Sequence, residues 1–306
     1  LIANRGEIAV RIIRAARELG IATVAVYSTA DKEALHTLLA DEAICIGPAK
    51  STDSYLNMNA VLSAAVLTEA EAIHPGFGFL SENSKFATMC EEVGVKFIGP
   101  SGAIMDMMGD KINARAQMIK ANVPVIPGSD GEVFTAEEAL EVAEKIGYPV
   151  MLKASAGGGG KGIRKVEKAE DLVAAFESAS SEAKAAFGNG AMYMERVIYP
   201  ARHIEVQILA DQHGHVVHLG ERDCSLQRNN QKVLEEAPSV AIGKTLRQKI
   251  GDAAVRAAQS VGYENAGTIE FLYDENKGEF YFMEMNTRIQ VEHPVTEFVT
   301  GVDIVK

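Results

Sequence analysis

Cysteine is scarce in this sequence of 306 residues, and the three that occur, Cys45, Cys90 and Cys224, lie far apart. An odd number of cysteines without Cys-x-x-Cys spacing predicts neither a disulfide framework nor a thiolate zinc site. Cys224 follows Asp223 and has no histidine at a spacing that would activate a thiol, so we expect it to pack rather than react. The cysteine pattern favours a cytoplasmic protein.

Basic residues are also in deficit. The 30 lysines and arginines are outnumbered by 42 aspartates and glutamates, giving a net charge of −12 and a pI near 5.1. This balance argues against nucleic acid or an anionic membrane as a partner, because both attract basic surfaces. No apolar run reaches the roughly 18 residues of a spanning helix, and the first residues lack a cleavable signal pattern. The absence of an initiator Met predicts that a few residues were trimmed from the start.

Short apolar strands and amphipathic helices alternate along the first third of the chain. A helix beginning near residue 6 ends at Gly20, and an apolar strand follows at 21–27. Similar apolar pieces recur at 43–46, 72–73 and 96–98. The alternation predicts a doubly wound α/β domain over residues 1–103. The apolar face of the first helix is predicted to contain Ile8, Ile12, Ala15, Ala16 and Leu19.

Residues 104–306 continue with a helix predicted at 104–121 and a turn at 124–130. Thr135 and Glu138 form a capping-box signature for the next helix. Strands are predicted at 150–155 and 163–166, and helices at 171–187 and 245–261. The final residues, 301–306, resemble an interrupted helix start, so we expect the fold to continue beyond Lys306.

A glycine run between the two predicted strands, residues 156–162, contains a single lysine, Lys161. Glycines let backbone N–H groups approach anionic oxygens, so the run could cradle phosphate, although a flexible hairpin tip is the alternative. It does not match the Walker pattern, because Lys161 is followed by Gly162 and strands flank the loop on both sides. Lys153 on the entering strand is a candidate phosphate cation, or else a solvated strand lysine.

Polar residues alternate along 284–292, at Glu284, Asn286, Arg288, Gln290 and Glu292. A period of two places them on one face of an extended chain. A solvated strand face is the alternative, but two acids around two amides and a cation suit a metal and small-anion site better.

A neighbouring strand supplies another acid, Glu270. With a turn centred near residue 276, Glu270 is predicted to lie opposite Phe282 and diagonal to Glu284. Glu270, Glu284 and Asn286 then offer the oxygen ligands that Mg²⁺ prefers, with a surface acidic patch as the alternative. The histidines at 213, 215 and 218 could also suggest a metal, but a polar hairpin is the favoured interpretation.

Four strings stand in a fixed order along the chain: NRGEIA at 4–9, HPGFGFLSEN at 74–83, the glycine run after Lys153, and EMNTRIQVEHP at 284–294. Together they closely resemble biotin carboxylases over the whole chain. The resemblance implies a doubly wound pre-ATP-grasp domain at 1–103, then an α+β ATP-grasp domain at 104–306 whose small lid covers about 131–195. It also implies a further C-terminal domain that this chain lacks.

The resemblance assigns site residues as well. Phosphates of ATP are expected at Lys111, Lys153, Gly159 and Gly160. The adenine is expected at the hinge of Glu195, Arg196, Val197 and Ile198, with His203, Gln227 and Asn230 also near the nucleotide. Two Mg²⁺ or Mn²⁺ ions are expected at Glu270, Glu284 and Asn286. Bicarbonate is expected at Lys232, Arg288, Gln290 and the Val291 backbone. Glu292 is expected to be the general base for bicarbonate, with Arg288 steadying the biotin anion.

The implied reaction is ATP- and bicarbonate-dependent carboxylation of biotin through carboxyphosphate, the first half-reaction of acetyl-CoA carboxylase in fatty acid synthesis. The implied partners are a biotin carboxyl carrier protein, carboxyltransferase subunits and, in the full-length protein, a second copy. Family members place an arginine near biotin in the C-terminal domain, so this chain alone is expected to turn over poorly.

The sequence departs from the family pattern at a few positions. Arg196 and Lys161 stand where relatives carry the other basic residue, and Asn229 and Asn230 replace a basic residue and a histidine. Three alternatives stay open: a module of a pyruvate or acyl-CoA carboxylase, another ATP-grasp ligase of the carbamoyl-phosphate or D-alanine type, and a nucleotide-binding regulator without turnover.

Overall fold

A computed structural model of the chain describes residues 1–155, 162–229 and 231–306. These residues form two compact units. The first unit contains Leu1–Val123, Arg202–Phe271 and Phe282–Lys306, and the second contains Pro124–Ala201 and Leu272–Tyr281. Within the described ranges, no helix combines the length and the apolar character that crossing a membrane requires.

The N-terminal part of the first unit alternates helices and short strands as the sequence predicts. Its elements are α1 (Gly6–Glu18), β1 (Val24–Ser28), α2 (Leu35–Leu39), β2 (Glu42–Gly47), α3 (Met58–Leu67), β3 (Ala72–Ile73), α4 (Ser84–Glu92) and β4 (Lys96–Phe97). Strand β1 pairs in parallel with β2, and β3 in parallel with β4. Ile2 bridges both pairs, through Ala25 and His74.

Helices cover both faces of these strands. Ile2 packs against Ile8 and Ile12 of α1, whereas the next residue, Ala3, belongs to the core formed with α3 and α4. Consecutive residues of an extended chain point to opposite faces, so α1 lies on one face and α3 and α4 on the other. The α/β fold class is therefore confirmed.

Some predicted boundaries in this part are wrong. The strand starts at Val24 rather than at 21, because Gly20 adopts φ +72° and Ile21 remains 56% exposed. Leu19 is exposed, and Ile13 is buried in its place. The single helix predicted over 104–121 is two helices, α5 (Gly102–Gly109) and α6 (Lys111–Lys120). Asp110 between them is extended, and its side chain accepts a hydrogen bond from the Asn113 N–H as the N-cap of α6.

The rest of the first unit is built on a five-stranded sheet of order β10-β9-β8-β11-β12. Its elements are β8 (Ala201–Ala210), β9 (Val216–Arg228), β10 (Gln231–Glu236), α9 (Lys244–Ser260), β11 (Asn265–Asp274), β12 (Glu279–Asn286) and α10 (His293–Thr300). The tip of the β11–β12 hairpin belongs to the second unit. Residues 301–306 are not helical, because Gly301 at φ +73° ends α10.

The second unit holds the three-stranded sheet β6-β5-β7 and two helices. Its elements are α7 (Ala136–Ile146), β5 (Val150–Ala154), β6 (Ile163–Val166), α8 (Ala169–Phe187) and β7 (Met192–Arg196). The capping box of Thr135 and Glu138 is confirmed. The predicted helices at 171–187 and 245–261 are confirmed within two residues, as α8 and α9.

Candidate active site

Polar side chains from neighbouring strands of the five-stranded sheet meet in one cluster. Glu205 on β8 stands opposite Arg222 on β9, so the two side chains share a face of the sheet. Lys232 comes from the edge strand β10, and Glu270 from β11 on the other side of β8. Strand pairing therefore gathers residues that are up to 65 positions apart in the chain.

Lys232 is the cation at the centre of this cluster. Its ammonium group donates to three carboxylates: to Glu205, to Glu270 at 2.9 Å and to Glu292 at 2.6 Å. Burial alone lowers the pKa of Lys232, but the charges of Glu205 and Glu270 outweigh it and raise the pKa well above its ordinary value. Lys232 therefore stays charged, and it holds Glu292 close to Glu270.

Glu270 is the buried carboxylate expected at the metal site. Its Oε1 accepts hydrogen bonds from Asn286 Nδ2 at 2.8 Å and from Gln290 Nε2 at 3.0 Å. Burial raises the pKa of Glu270, and the neighbouring His203 and Lys232 reverse the shift, so the net direction is down. The Glu270 carboxylate is thus ionised at neutral pH.

Glu284 and Asn286, the other two expected metal ligands, lie on β12, the strand next to the β11 strand of Glu270. Desolvation by the surrounding protein and then the charge of Glu270 raise the pKa of Glu284, while the charge of Lys111 at the start of α6 lowers it. A desolvated carboxylate beside a second carboxylate is a favourable place for a hard cation. The Asn286 amide places its nitrogen toward Glu270 and its oxygen toward Arg288, so it must turn over to become a ligand.

His203 borders the same two acids. Its Nε2 lies 3.0 Å from Glu270 and 3.7 Å from Glu205, and the contact with Glu270 is too poorly aligned to be a hydrogen bond. Burial lowers the pKa of His203, but the two carboxylates outweigh burial and raise the pKa to about 9. The imidazole is therefore a second cation at neutral pH.

The loop after β12 carries the expected bicarbonate residues. Arg288 donates through Nε to Glu82 at 2.8 Å and through Nη2 to Asn286 at 3.0 Å. Gln290 is 3% exposed, whereas Val291 is 63% exposed. The loop thus holds Arg288 between two acceptors and leaves Val291 exposed to solvent.

In the second unit, Lys153 on β5 forms an ion pair with Glu195 on β7. Arg196 donates to the Tyr281 hydroxyl at 3.1 Å, and its guanidinium lies 5.8 Å from the centre of that ring. The Val197 N–H donates to Pro149 at 2.8 Å. The structure thus places Lys153 next to the first residue of the expected adenine hinge.

The remaining expected site residues make few contacts that bear on ligand binding or lie outside the described residues. Gly159, Gly160 and Asn230 lie outside the described residues. Gln227 uses its amide to donate to the Cys224 carbonyl at 3.0 Å. Ile198 follows β7, with no contact that bears on a ligand among the described residues. Across the part of the chain that the structure describes, the histidines at 213, 215 and 218 form no metal cluster, and His215 pairs with Asp211 at 2.7 Å.

Sequence reasoning missed three residues of this site: Arg222, Glu205 and Glu82. Arg222 and Glu205 are fully buried and 2.6 Å apart. The available signal was charge within strands that are otherwise buried, at 204–208 and 221–224, because a charged residue there needs a partner. Glu82 lay inside the string at 74–83, but its contact with Arg288 joins positions 206 residues apart.

Comparisons with known proteins identify the family of this chain. The family model described as "Biotin carboxylase, N-terminal domain" matches residues 1–105. "Carbamoyl-phosphate synthase L chain, ATP binding domain" matches residues 110–306. Biotin carboxylase 1 of Bacillus subtilis is 60% identical over all 306 residues, which make up 68% of that protein. The chain belongs to the biotin carboxylase family. Members of this family are ATP-dependent ligases, so the chain is an enzyme of that class.

Other biotin carboxylases are similarly close. Biotin carboxylase 2, chloroplastic, of Populus trichocarpa is 59% identical over the whole chain, which spans 58% of that protein. The biotin carboxylase–β-γ-ATP complex from Campylobacter jejuni superposes with a TM-score of 0.91 at 54% identity, covering 99% of this chain and 68% of that one. The Hydrogenobacter thermophilus 2-oxoglutarate carboxylase biotin carboxylase domain, in complex with MgADP, ADP and bicarbonate, gives 0.88 at 54% identity, with 99% and 67% coverage. The family assignment from the sequence strings is confirmed.

Proposed function

We propose that this chain activates bicarbonate with ATP and carboxylates biotin on a carrier protein, as the first half-reaction of acetyl-CoA carboxylase. The observation that carries the proposal is the contact of Lys232 with both Glu270 and Glu292. The ammonium group of Lys232 thereby holds Glu270, a proposed metal ligand, close to Glu292, which can act as a base. A module that only senses nucleotide has no use for that second acid.

Glu270, Glu284 and Asn286 would hold Mg²⁺ or Mn²⁺. When bound, such an ion offsets the negative charge of the ATP phosphates. The superposed domain of 2-oxoglutarate carboxylase, whose complex contains MgADP, supports this choice. Lys153 would meet the phosphates and the Glu195–Ile198 hinge the adenine, with Lys111, His203 and Gln227 nearby.

Bicarbonate would bind between Lys232, Arg288, Gln290 and the Val291 backbone. Lys232 would exchange one of its carboxylate partners for the bicarbonate oxygens, which frees Glu292 to accept a proton. Removal of that proton makes bicarbonate a better nucleophile toward the γ-phosphorus, and the P–O bond to ADP breaks as the new one forms. Arg288, held by Glu82 and Asn286, is preorganised to face negative charge.

The resulting carboxyphosphate would decompose to CO₂ and phosphate. Phosphate would take the proton from the biotin ureido nitrogen, and the nitrogen anion would then attack CO₂. Arg288 would stabilise that anion. The domain boundary near 103 and the lid over about 131–195 remain proposals that follow the same family pattern.

A biotin carboxyl carrier protein, carboxyltransferase subunits and a second copy of the chain are the proposed partners, and the cytoplasm is the proposed location. A pyruvate carboxylase module is the competing assignment. A pyruvate carboxylase subunit from Methanothermobacter thermautotrophicus is 55% identical over the whole chain, which spans 62% of that protein. The higher identity to proteins named biotin carboxylase favours the acetyl-CoA assignment.

The test is ADP release from Mg-ATP by the full-length gene product and by residues 1–306, each with and without bicarbonate and free biotin. We expect cleavage by the full-length protein to require bicarbonate and to rise with biotin, and cleavage by residues 1–306 to be slow or absent. A rate of ADP release by the full-length protein that is the same with and without bicarbonate would overturn the substrate assignment. Supplying acetyl-CoA or pyruvate with the matching carboxyltransferase then separates the two acceptors.

A further inference from the structure

Arg222 on β9 is a fully buried cation to which the proposed reaction assigns no role. A guanidinium group has five N–H donors, and the structure gives all five an acceptor. The acceptors are Glu205 at 2.6 Å, Gln207, Thr296 and Gln290 at 2.8 Å each, and Thr268 at 3.3 Å. These residues come from β8, β11, α10 and the loop after β12, so one side chain ties four elements together.

Two of these acceptors lead directly to the proposed bicarbonate site. Gln290 accepts from Arg222 through Oε1, which leaves its Nε2 to donate to Glu270 at 3.0 Å. Glu205 gives Oε1 to Arg222 and Oε2 to Lys232. Arg222 therefore fixes which way the Gln290 amide faces, and it fixes the carboxylate that anchors Lys232.

We propose that Arg222 is a positioning residue that aligns Gln290 and Lys232 for bicarbonate, an inference that rests on the proposed function. Without Arg222, the freed Glu205 oxygen would compete for Lys232, and the Gln290 amide could turn over. Lysine cannot replace Arg222, because its ammonium group has only three N–H donors on one nitrogen. It cannot reach all five acceptors that surround the planar guanidinium.

A purely structural role predicts a different outcome. If Arg222 only held the sheet together, its loss would weaken the binding of ATP and bicarbonate together, along with stability. A positioning role predicts a selective effect, because Gln227, a residue of the same unit that is proposed to lie near ATP, donates to the Cys224 carbonyl and shares no described hydrogen bond with Arg222.

The experiment is steady-state ADP release by the full-length Arg222→Lys variant, with bicarbonate and Mg-ATP varied in turn. We expect the KM for bicarbonate to rise about tenfold or more, the size expected for losing a charge-assisted hydrogen bond, while the KM for Mg-ATP changes less than about twofold. Arg247→Lys is the matched control. Arg247 also bonds to a carboxylate, Glu221, and to two carbonyl oxygens, but it contacts no proposed bicarbonate residue among the described hydrogen bonds. Both KM values should stay within about twofold in that control.

A second variant keeps the test decisive if Arg222→Lys does not fold. Thr296→Val removes one acceptor of Arg222 on α10 and should raise the bicarbonate KM about two- to fivefold, with the Mg-ATP value unchanged. Unchanged bicarbonate KM values, or equal increases for both substrates, would overturn the positioning role while wild-type bicarbonate dependence still supports the proposed function. A wild-type protein without bicarbonate dependence would instead overturn the proposed function itself.

Discussion

Two networks of charged side chains in the first unit differ in the ratio of carboxylates to the groups that satisfy them. The acidic cluster contains four carboxylates, those of Glu205, Glu270, Glu284 and Glu292, and three cations, Lys232, Arg222 and His203. The Asp31 network contains a single carboxylate that accepts from Arg5, from the Tyr55 hydroxyl at 2.6 Å and from Ser28 at 3.1 Å. The acidic cluster thus has more acids than cations, whereas the single acid of the Asp31 network receives hydrogen bonds from three side chains.

The pKa values express this difference. Hydrogen bonds from Arg5 lower the pKa of Asp31 to about 2, against a smaller opposing effect of burial. In the acidic cluster, the pKa of Glu284 is raised, because desolvation and the charge of Glu270 both oppose its ionisation. A saturated carboxylate stabilises the fold, whereas surplus carboxylates favour the binding of a cation from solution.

The largest effect is expected in the acidic cluster, from Glu292→Gln. Loss of a general base typically costs about 10²- to 10⁴-fold, so bicarbonate-dependent ADP release should fall by at least about 100-fold. The affinity for ATP should remain nearly unchanged, as measured by titration calorimetry with a non-hydrolysable analogue. Glu236→Gln at the end of β10 is the control, and it should retain full activity. Undiminished turnover by Glu292→Gln would remove it from the role of base.

A smaller effect is expected for Glu284→Ala, which tests whether the surplus acids hold a metal. The free Mg²⁺ needed for half-maximal ADP release should rise about 10- to 100-fold, because one of the proposed oxygen ligands is gone. Glu177→Ala, on the exposed face of α8, removes the same charge elsewhere and should leave the requirement as it is. An identical Mg²⁺ dependence in both variants would place Glu284 outside the metal site.

The smallest effect is expected in the Asp31 network. A pKa held at about 2 contributes about 2 kcal/mol to the free energy of unfolding, and Asp31→Asn should remove it at pH 7. The folded-state pKa is depressed, so this stability is present above the unfolded-state pKa near 4 and disappears as pH falls toward 2. Urea unfolding of wild type and variant at pH 7 and pH 3 measures the difference, which should shrink at the lower pH. Asp252→Asn on α9 is the exposed control. A pH-independent difference would contradict the ion-pair explanation.

The sequence predicts much of this architecture, because the deciding signals are local. The Thr135 capping box, the Gly20 helix end and the apolar strand at 150–154 are all written in short stretches and are observed. The end of α5 and the start of α6 at Asp110 also have a local signal, the N-cap aspartate. Helical spacing of apolar residues on both sides made the two helices read as one. Strings such as 284–294 gave the family, because eleven consecutive residues leave few alternatives.

The inner contacts of the site could not be predicted in the same way. The pairing of Arg222 with Glu205 depends on the register between β8 and β9, and the sheet order places β11, which follows α9 in the chain, directly beside β8. Single-sequence periodicity indicates which face a residue occupies, but not which strand lies next to it. Lys232 was expected at bicarbonate, yet its three-way contact with carboxylates appears only in three dimensions.

The most direct test of the central claim, that surplus carboxylates in the acidic cluster form the cation site, is anomalous diffraction from crystals grown with Mn²⁺ and ADP. We expect manganese peaks within roughly 2.1 Å of oxygens from Glu270 and Glu284, the distance typical of small divalent cations, with Asn286 turned to present its oxygen. Peaks bound only through ADP, or at other carboxylates such as Asp31, would contradict the claim.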